Sequence, residues 1–389
     1  GRLTQQRVTG QQSKQQIIQR QYQYNDAGNL SIIDDFRKGV TEYQYDSLDR
    51  LKTANGYAQE EFTFDPAGNL LDTAANDTNT SSQIKGNRLQ FQGDRKFEYD
   101  NAGNLVKENR GKGGKLETTY QYNKQNQLVS MSNGKQTTRY SYDALGRRIS
   151  KEDAFGTTLF LWNGDVLLSE ARNHSEKLYL YEPESFRPLA QIQDGQVYHY
   201  HLDQLGTPQE MTNHKGGIVW SAQYKAYGNL ALKDVDYIEN NLRFQGQYFD
   251  EESGLHYNRH RYYDPGTARF TTVDPIGLLG GNNNYLYAPN PTGWIDPLGL
   301  SCKETDNQSG INPLLVNSKH KKTKEMDSLF NRENEDGYYH PFWGNQTVEY
   351  FGEARKLEHE LDVVNGKLVH KGGVKAGTPF DTKDAFNDN

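Results

Sequence analysis

Apolar and polar positions alternate along most of the first 300 residues, and short polar turns interrupt the alternation at regular intervals. Six related units stand out: Tyr24-Asn-Asp-Ala-Gly-Asn-Leu30, Tyr45-Asp-Ser-Leu-Asp-Arg-Leu51, Phe64-Asp-Pro-Ala-Gly-Asn-Leu70, Tyr99-Asp-Asn-Ala-Gly-Asn-Leu105, Tyr122-Asn-Lys-Gln-Asn-Gln-Leu128 and Tyr142-Asp-Ala-Leu-Gly-Arg-Arg148. Their aromatics are spaced by 21, 19, 35, 23 and 20 residues, and the long step leaves room for a degenerate copy around Lys85-Gly-Asn-Arg-Leu89. The aromatic ends a period-two run such as Tyr22-Gln-Tyr24, as a strand with one buried face requires. Asp or Asn with Gly then supplies turn chemistry through side-chain-to-backbone hydrogen bonds and a left-handed backbone position. The Leu opens the next strand, so each unit predicts a β-hairpin. An isolated hairpin is marginal in water, so consecutive hairpins are expected to stack into a wide sheet.

Mean hydropathy is -0.96 and only 34% of the 389 residues are hydrophobic, a combination that alone suggests disorder. The periodic aromatics, 26 Tyr, 16 Phe and 4 Trp, change that reading to extended sheet with much polar surface. The formal charge of -7 argues against a general nucleic-acid coat. A single cysteine, Cys302, excludes an internal disulfide framework and a cysteine-rich zinc site. No apolar run is long enough to predict a membrane helix. The opening GRLTQQRVTG lacks the apolar core of a signal peptide, so the chain is expected to begin within a longer protein or at a processing site.

The Y-D-x-x-G-N-L units resemble the YD repeats of Rhs proteins, of the C subunits of Tc insecticidal toxins and of teneurins, over roughly residues 17–300. The resemblance extends through Tyr198-His-Tyr-His-Leu-Asp-Gln-Leu-Gly-Thr-Pro208, Trp220-Ser-Ala-Gln-Tyr224 and Tyr227-Gly-Asn-Leu230 to Gly254-Leu-His-Tyr-Asn-Arg-His-Arg-Tyr-Tyr-Asp-Pro265. It implies a mainly β fold, with stacked hairpins forming part or all of a hollow shell around a C-terminal toxin. The expected divisions are a YD-repeat shell at 1–230, a terminal core block at 231–300 and a variable toxin domain at 301–389. His199 and His201 read as strand residues, since a metal site would need a third ligand.

Two D-P-x-G-L motifs, Asp274-Pro-Ile-Gly-Leu278 and Asp296-Pro-Leu-Gly-Leu300, lie 22 residues apart with Gly-Gly and Tyr-x-Tyr-x-x-Asn-Pro between them. One Asp-Pro is only a turn signal, and two could serve as structural turns of a terminal plug. The matched pair also resembles the autoproteolysis block that closes Rhs cores and Tc C subunits. Two carboxylates held close retain one proton between them. The ionised member can activate water, and the protonated one can polarise a carbonyl and protonate the leaving amine. By that resemblance, the cut falls between Leu300 and Ser301, and an upstream arginine, Arg261 by spacing with Arg259 as second choice, orients a carboxylate or stabilises developing charge. No cofactor is expected for this step.

The repeats stop at Ser301, and Ser301 to Gly310 reads as a linker. The tail predicts an α+β domain: a helix over 321–330, a strand over 346–351, a helix over 352–361 and a hairpin over 363–369 around Asn365-Gly366. His340, Glu349, Glu353, Arg355, His359, Glu360 and His370 are its candidate catalytic groups. A His with a carboxylate and a basic residue can cut RNA by acid–base chemistry, and His359-Glu360 with His370 could hold a metal in a nuclease. Ordinary surface charge explains each of them equally simply. The tail lacks the Pro-Cys-x-x-Cys signature of zinc deaminases. A deaminase is therefore the least supported, and the resemblance favours a nuclease, a common type of tail in that family, over an ADP-ribosyltransferase, with the tail's cofactor left open.

The expected function is that of a toxin delivered from a bacterium into a target cell by type VI secretion or a Tc-like carrier. A cognate immunity protein would protect the producer, and RNA or DNA would be the target. The alternative is a non-enzymatic cell-surface or adhesion scaffold. The double D-P-x-G-L block separates the two, because an adhesion module has no use for it.

Overall fold

The computed structural model describes residues 2–10, 14, 16–71 and 83–304, with short strand segments at 333–334, 337–338, 361–364 and 367–370. It divides into two compact units, Gly1–Pro313 and Leu314–Asn389. In the first unit the described residues are nearly all β, with one short 3-10 turn at Gly277–Gly280. A six-stranded antiparallel sheet runs in sequence order from Gln5–Thr9 to Gln59–Glu61, and a sixteen-stranded one from Gln83–Lys85 to Leu230–Asp236. Every neighbour in them is the next strand in the chain, as stacked hairpins require. No described helix is long and apolar enough to cross a membrane.

The repeated residues explain the stacking. In the Phe64 unit, Asp65 N–H donates to the Asn69 carbonyl, Gly68 N–H donates to the Asp65 carbonyl, and Asp65 Oδ1 accepts from Asn69 N–H. The same three bonds close the turns at Asn25–Asn29, Asp100–Asn104, Asn123–Gln127 and Asp143–Arg147. The fourth turn position is left-handed, so Gly sits there in most units and Asp49 or Asn126 in two others, residue types that tolerate this conformation. Those substitutions form a pattern: Asn29 Nδ2 donates to Asp49 Oδ1, Asn69 to Asn87 and Asn104 to Asn126, each from one turn to the next. Asn87 belongs to the degenerate copy, which turns through Gly86 and Asn87, both left-handed.

In several hairpins the aromatic that ends the strand has a bond to make as well as a ring to bury. Tyr45 Oη donates to the Leu30 carbonyl, Tyr142 Oη to the Leu128 carbonyl and Trp162 Nε1 to the Arg148 carbonyl. The aromatic two residues earlier is buried on one face of the large sheet, as with Phe97, Tyr120, Tyr140, Phe160, Tyr179 and Tyr200. That face is covered by Leu242, Tyr248, Leu255, Tyr257 and Tyr262 of the following block, which together with it form the largest apolar cluster.

The later motifs, from Tyr198 to Leu230, lie within the repeat sheet. Residues 196–236 continue the sixteen-stranded sheet, His199 and His201 lie on strand Gln196–Leu202, and His201 Nε2 bonds Thr212 Oγ1. The two sheets are joined by buried charge: Arg20 contacts Asp35 Oδ2 at 2.6 Å and also Glu210, which pairs with Lys38 at 3.0 Å.

In the second unit, strands Leu361–Val364 and Lys367–His370 form the expected hairpin. It is longer than the spacing predicts, so Leu361 opens a strand instead of ending a helix. A further pairing joins Glu333–Asn334 to Gly337–Tyr338. The helix predicted over 321–330, the strand over 346–351 and residues 352–360 of the second helix lie outside the described residues.

The terminal block is tied to the sheet by Arg148, which occupies the position filled by Leu in the other units and is fully buried. Its guanidinium pairs with Asp250, donates to Tyr262 Oη at 3.0 Å and lies over the rings of Tyr140, Phe160, Tyr248 and Tyr257. Lys151 supplies a second cation to Asp250 at 3.1 Å. Arg148→Leu restores the repeat's apolar residue but takes from the buried Asp250 carboxylate the closer of its two cations, leaving Lys151. It should cost about 3–5 kcal/mol, the usual penalty for breaking a buried pair. Adding Asp250→Asn should recover a large part of that loss. Urea denaturation followed by tryptophan fluorescence checks both, and a double variant no more stable than Arg148→Leu would refute the role given to this pair.

Candidate active site

The site is built on the four-stranded sheet Tyr248–Asp250, Leu255–Asn258, Arg261–Asp264 and Arg269–Phe270. Arg259 and His260 form the two-residue turn between the second and third strands, with Arg259 left-handed. The Arg259 side chain points away from both D-P-x-G-L motifs. It bonds Asp165 Oδ1 at 2.7 Å and the carbonyls of Gly146 and Leu145, which anchors the turn to two repeat turns. Arg261 is the arginine that meets the acidic pair.

Both D-P-x-G-L motifs fold alike. Gly277 N–H donates to the Asp274 carbonyl and Gly299 N–H to the Asp296 carbonyl, with both glycines left-handed. The turn reading of these motifs is thus correct, and the turns also aim the carboxylates. One Arg261 nitrogen, Nη2, lies 2.9 Å from Asp274 Oδ2 and 3.3 Å from Asp296 Oδ2. The other guanidinium nitrogens are committed to backbone: Nε donates to the Gly299 carbonyl at 2.6 Å and Nη1 to the Asn284 carbonyl at 3.0 Å. The Phe270 ring supports the guanidinium at 3.6 Å. The carboxylates therefore meet through a shared cation, and all three side chains are buried.

Leu300 lies against both acids. Its N–H donates to Asp296 Oδ1 at 2.9 Å. Gly280 sits on the other side, where a Cβ would overlap the Asp274 carboxylate and come within 2.6 Å of the Leu300 carbonyl oxygen. Asp274, Asp296, Arg261 and Leu300 are thus brought together, with Ser301 next in the chain and partly buried. Asn258 was not singled out by sequence: its Nδ2 donates to the Asp296 carbonyl at 2.8 Å. Tyr287, whose Oη accepts from Asp296 N–H, and Gly280 lie within the segment between the two motifs, so the Gly-Gly and Tyr-x-Tyr spacing was their signal.

Burial dominates the electrostatics. It pushes the Asp296 carboxyl up to about 6 against the opposing pull of Arg261, and the Asp274 charge adds to the rise. Burial also raises Asp274, again opposed by Arg261. Arg261 itself is pulled down by burial, against the attraction of Asp296 and Asp274. Two acids and one cation in a dry site thus hold a proton to higher pH than free carboxylates do. Among the described residues no group of three His, Cys, Asp or Glu side chains is placed to hold a metal. Of the tail candidates, His370 ends strand Lys367–His370, while His340, Glu349, Glu353, Arg355, His359 and Glu360 lie outside the described residues.

A family model described as the teneurin YD-shell matches residues 2–279. The chain is 38% identical over 321 residues to Double-stranded DNA deaminase toxin A of Burkholderia cenocepacia, covering 72% of this chain and 22% of that protein. It is 30% identical over 400 residues to "Probable deoxyribonuclease RhsA" of Dickeya dadantii, covering 95% of this chain and 26% of that protein. It thus spans about a quarter of the length of these curated relatives. The crystal structure of TcdB2-TccC3-Cdc42 shares the fold over 77% of this chain and 18% of that one, with a TM-score of 0.54 at 18% identity. The chain belongs to the teneurin YD-shell family, and its relatives there are Rhs-type toxin proteins.

Proposed function

We propose that this chain cuts itself between Leu300 and Ser301, and that the released tail is a nuclease toxin acting on DNA. The observation carrying the first part is the single Arg261 nitrogen between two buried aspartates, one of which also holds the Leu300 amide. One water adds across the peptide bond. Its oxygen bonds to the Leu300 carbonyl carbon, and the ionised carboxylate takes one of its protons. The protonated carboxyl polarises the carbonyl and then delivers its proton to the Ser301 nitrogen as the C–N bond breaks. A carboxylic acid at Leu300 and an amine at Ser301 result, and the pair again shares one proton. The pair titrates as a unit, so acid and base are not assigned to individual residues. Arg261 orients the carboxylates and stabilises developing negative charge. Because the substrate is the chain itself, its position is supplied by folding.

The nuclease reading of the tail is supported by the Dickeya dadantii relative, whose alignment covers too much of this chain to be confined to residues 1–313. His340, Glu349, Arg355, His359, Glu360 and His370 remain the proposed candidates for its chemistry. Delivery of such a toxin needs a secretion machine or Tc-like carrier, and its producer needs an immunity protein. The likeness to TccC3-containing assemblies supports the carrier.

Asp274→Asn and Asp296→Asn should each leave one full-length species by denaturing mass spectrometry, whereas the unaltered chain gives two pieces split at Leu300–Ser301. An uncut wild-type chain, or cutting in either variant at the wild-type rate, would refute the mechanism.

The pair needs its one shared proton, and burial raises Asp296 only to about 6, so the pair gives that proton up as pH passes that range. The self-cleavage rate should therefore fall as pH rises through about 6. A time course after refolding at pH 5 to 8 measures this, and a rate that climbs through pH 6 would contradict the shared-proton chemistry.

Gly280→Ala should slow the cut by at least tenfold, because the added methyl meets both Asp274 and the Leu300 carbonyl. The same time course checks it, with an unchanged rate as the contrary result.

For the tail, wild-type protein incubated with plasmid DNA should produce strand breaks on an agarose gel. Alanine at the residues that carry the chemistry should abolish them. Intact strands carrying cytosine-to-uracil changes would identify a deaminase instead.

A further inference from the structure

We propose that the chain just downstream of the cut is recognised as a β-strand, with Cys302 filling an apolar seat and Lys303–Glu304 held through their backbone. This rests on the self-cleavage reading and adds its downstream specificity. Strand Trp294–Ile295 pairs antiparallel with Lys303–Glu304, with Ile295 opposite Lys303 and Trp294 opposite Glu304. Asp296 is the next residue after that strand. The same short strand therefore aims one carboxylate and grips the chain beyond the scissile bond.

Cys302 is partly buried and packs against the cluster containing Tyr263, Phe270, Tyr287 and Ile295. Two of these residues already belong to the site, since Phe270 supports Arg261 and Tyr287 bonds Asp296. Burial, with the Asp296 charge next to it, pushes the Cys302 thiol up to about 12, so the seat holds a neutral group. A charged side chain there would be placed dry beside Asp296, where an unpaired charge is costly. Upstream, the Leu300 amide is fixed on Asp296 Oδ1. The Leu300–Ser301 bond is thus held from both sides, which restricts it to geometries close to the acids. The site should accept a small uncharged residue two positions after the cut, followed by two residues able to pair as a strand, one of them giving its backbone N–H to the partner strand.

The test uses the full chain and follows the fraction cut over time by denaturing mass spectrometry, with melting temperature measured in an Asp274→Asn background. Cys302→Ala and the pair Lys303→Ala/Glu304→Ala, which keep a small uncharged side chain and the backbone N–H groups, set the reference rate. Cys302→Asp and the pair Lys303→Pro/Glu304→Pro should cut at least tenfold more slowly with the melting temperature unchanged, since proline removes the N–H groups needed for pairing. Equal cutting by the aspartate and proline variants would overturn the inference while leaving the protease reading intact. Slow cutting that tracks a lowered melting temperature would also overturn it, as a folding defect. If the wild-type chain is not cut at all, the underlying reading fails instead.

Discussion

The arrangement depends on a buried guanidinium that cannot be left without its carboxylate. Arg148 reaches out of the repeat sheet, and Asp250 comes from the block that follows it. A charge taken out of water is tolerated only with a well-placed partner and further hydrogen bonds. Tyr262 Oη, Lys151 and a ring of aromatic faces complete that shell. Apolar contacts between Tyr248, Tyr257 and the sheet could slide by a residue at modest cost. The ion pair cannot, so it fixes the block in one register on the sheet. Asp250, Asn258 and Arg261 lie on adjoining strands of one small sheet, so a register fixed at Asp250 is inherited by the site a few residues away.

The second constraint is local. Arg259 takes up a left-handed conformation that a side chain other than Gly adopts only with compensation. Its bonds to Asp165, Gly146 and Leu145 provide it. The turn that carries Arg259 and His260 is thereby pinned to the sheet, and Arg261 emerges from it already aimed. His260 N–H also holds the Leu298 carbonyl inside the second D-P-x-G-L turn. Anchoring and function are divided between two arginines two residues apart, which explains why spacing alone left a choice between them.

Much of the fold was readable because the repeat residues act locally. The Asp or Asn cap, the left-handed fourth position and the donating Tyr each bond within a turn or to the adjacent hairpin, so a one-dimensional pattern predicts them. The hairpins past residue 198 keep the geometry with different residues, as Asp203–Thr207 closes the same turn without the Gly-Asn-Leu ending. Arg148 was invisible as a keystone for the opposite reason: it breaks the repeat's apolar rule, and its partner lies 102 residues away. At the site the acidic pair was legible because its two motifs match. Asn258, Gly280 and the pairing of Lys303–Glu304 were not, since their roles arise only when distant segments meet.

The site's charge balance follows from that meeting. Asp274, Asp296 and Arg261 would carry a net negative charge if both acids were ionised, in a place with little water to screen it. Arg261 has one nitrogen for both carboxylates because its others are spent on the Gly299 and Asn284 carbonyls. A guanidinium free to fork onto one aspartate would hold that acid fully ionised and low in pKa. With its two N–H groups divided between the acids, Nη2 offers each a single donor and neither a bidentate pair, so each is only partly compensated and burial favours a proton on the pair. The backbone bonds to Arg261 therefore do more than position it: by limiting what the cation can offer the two acids, they leave burial free to raise both carboxyls above the ordinary range.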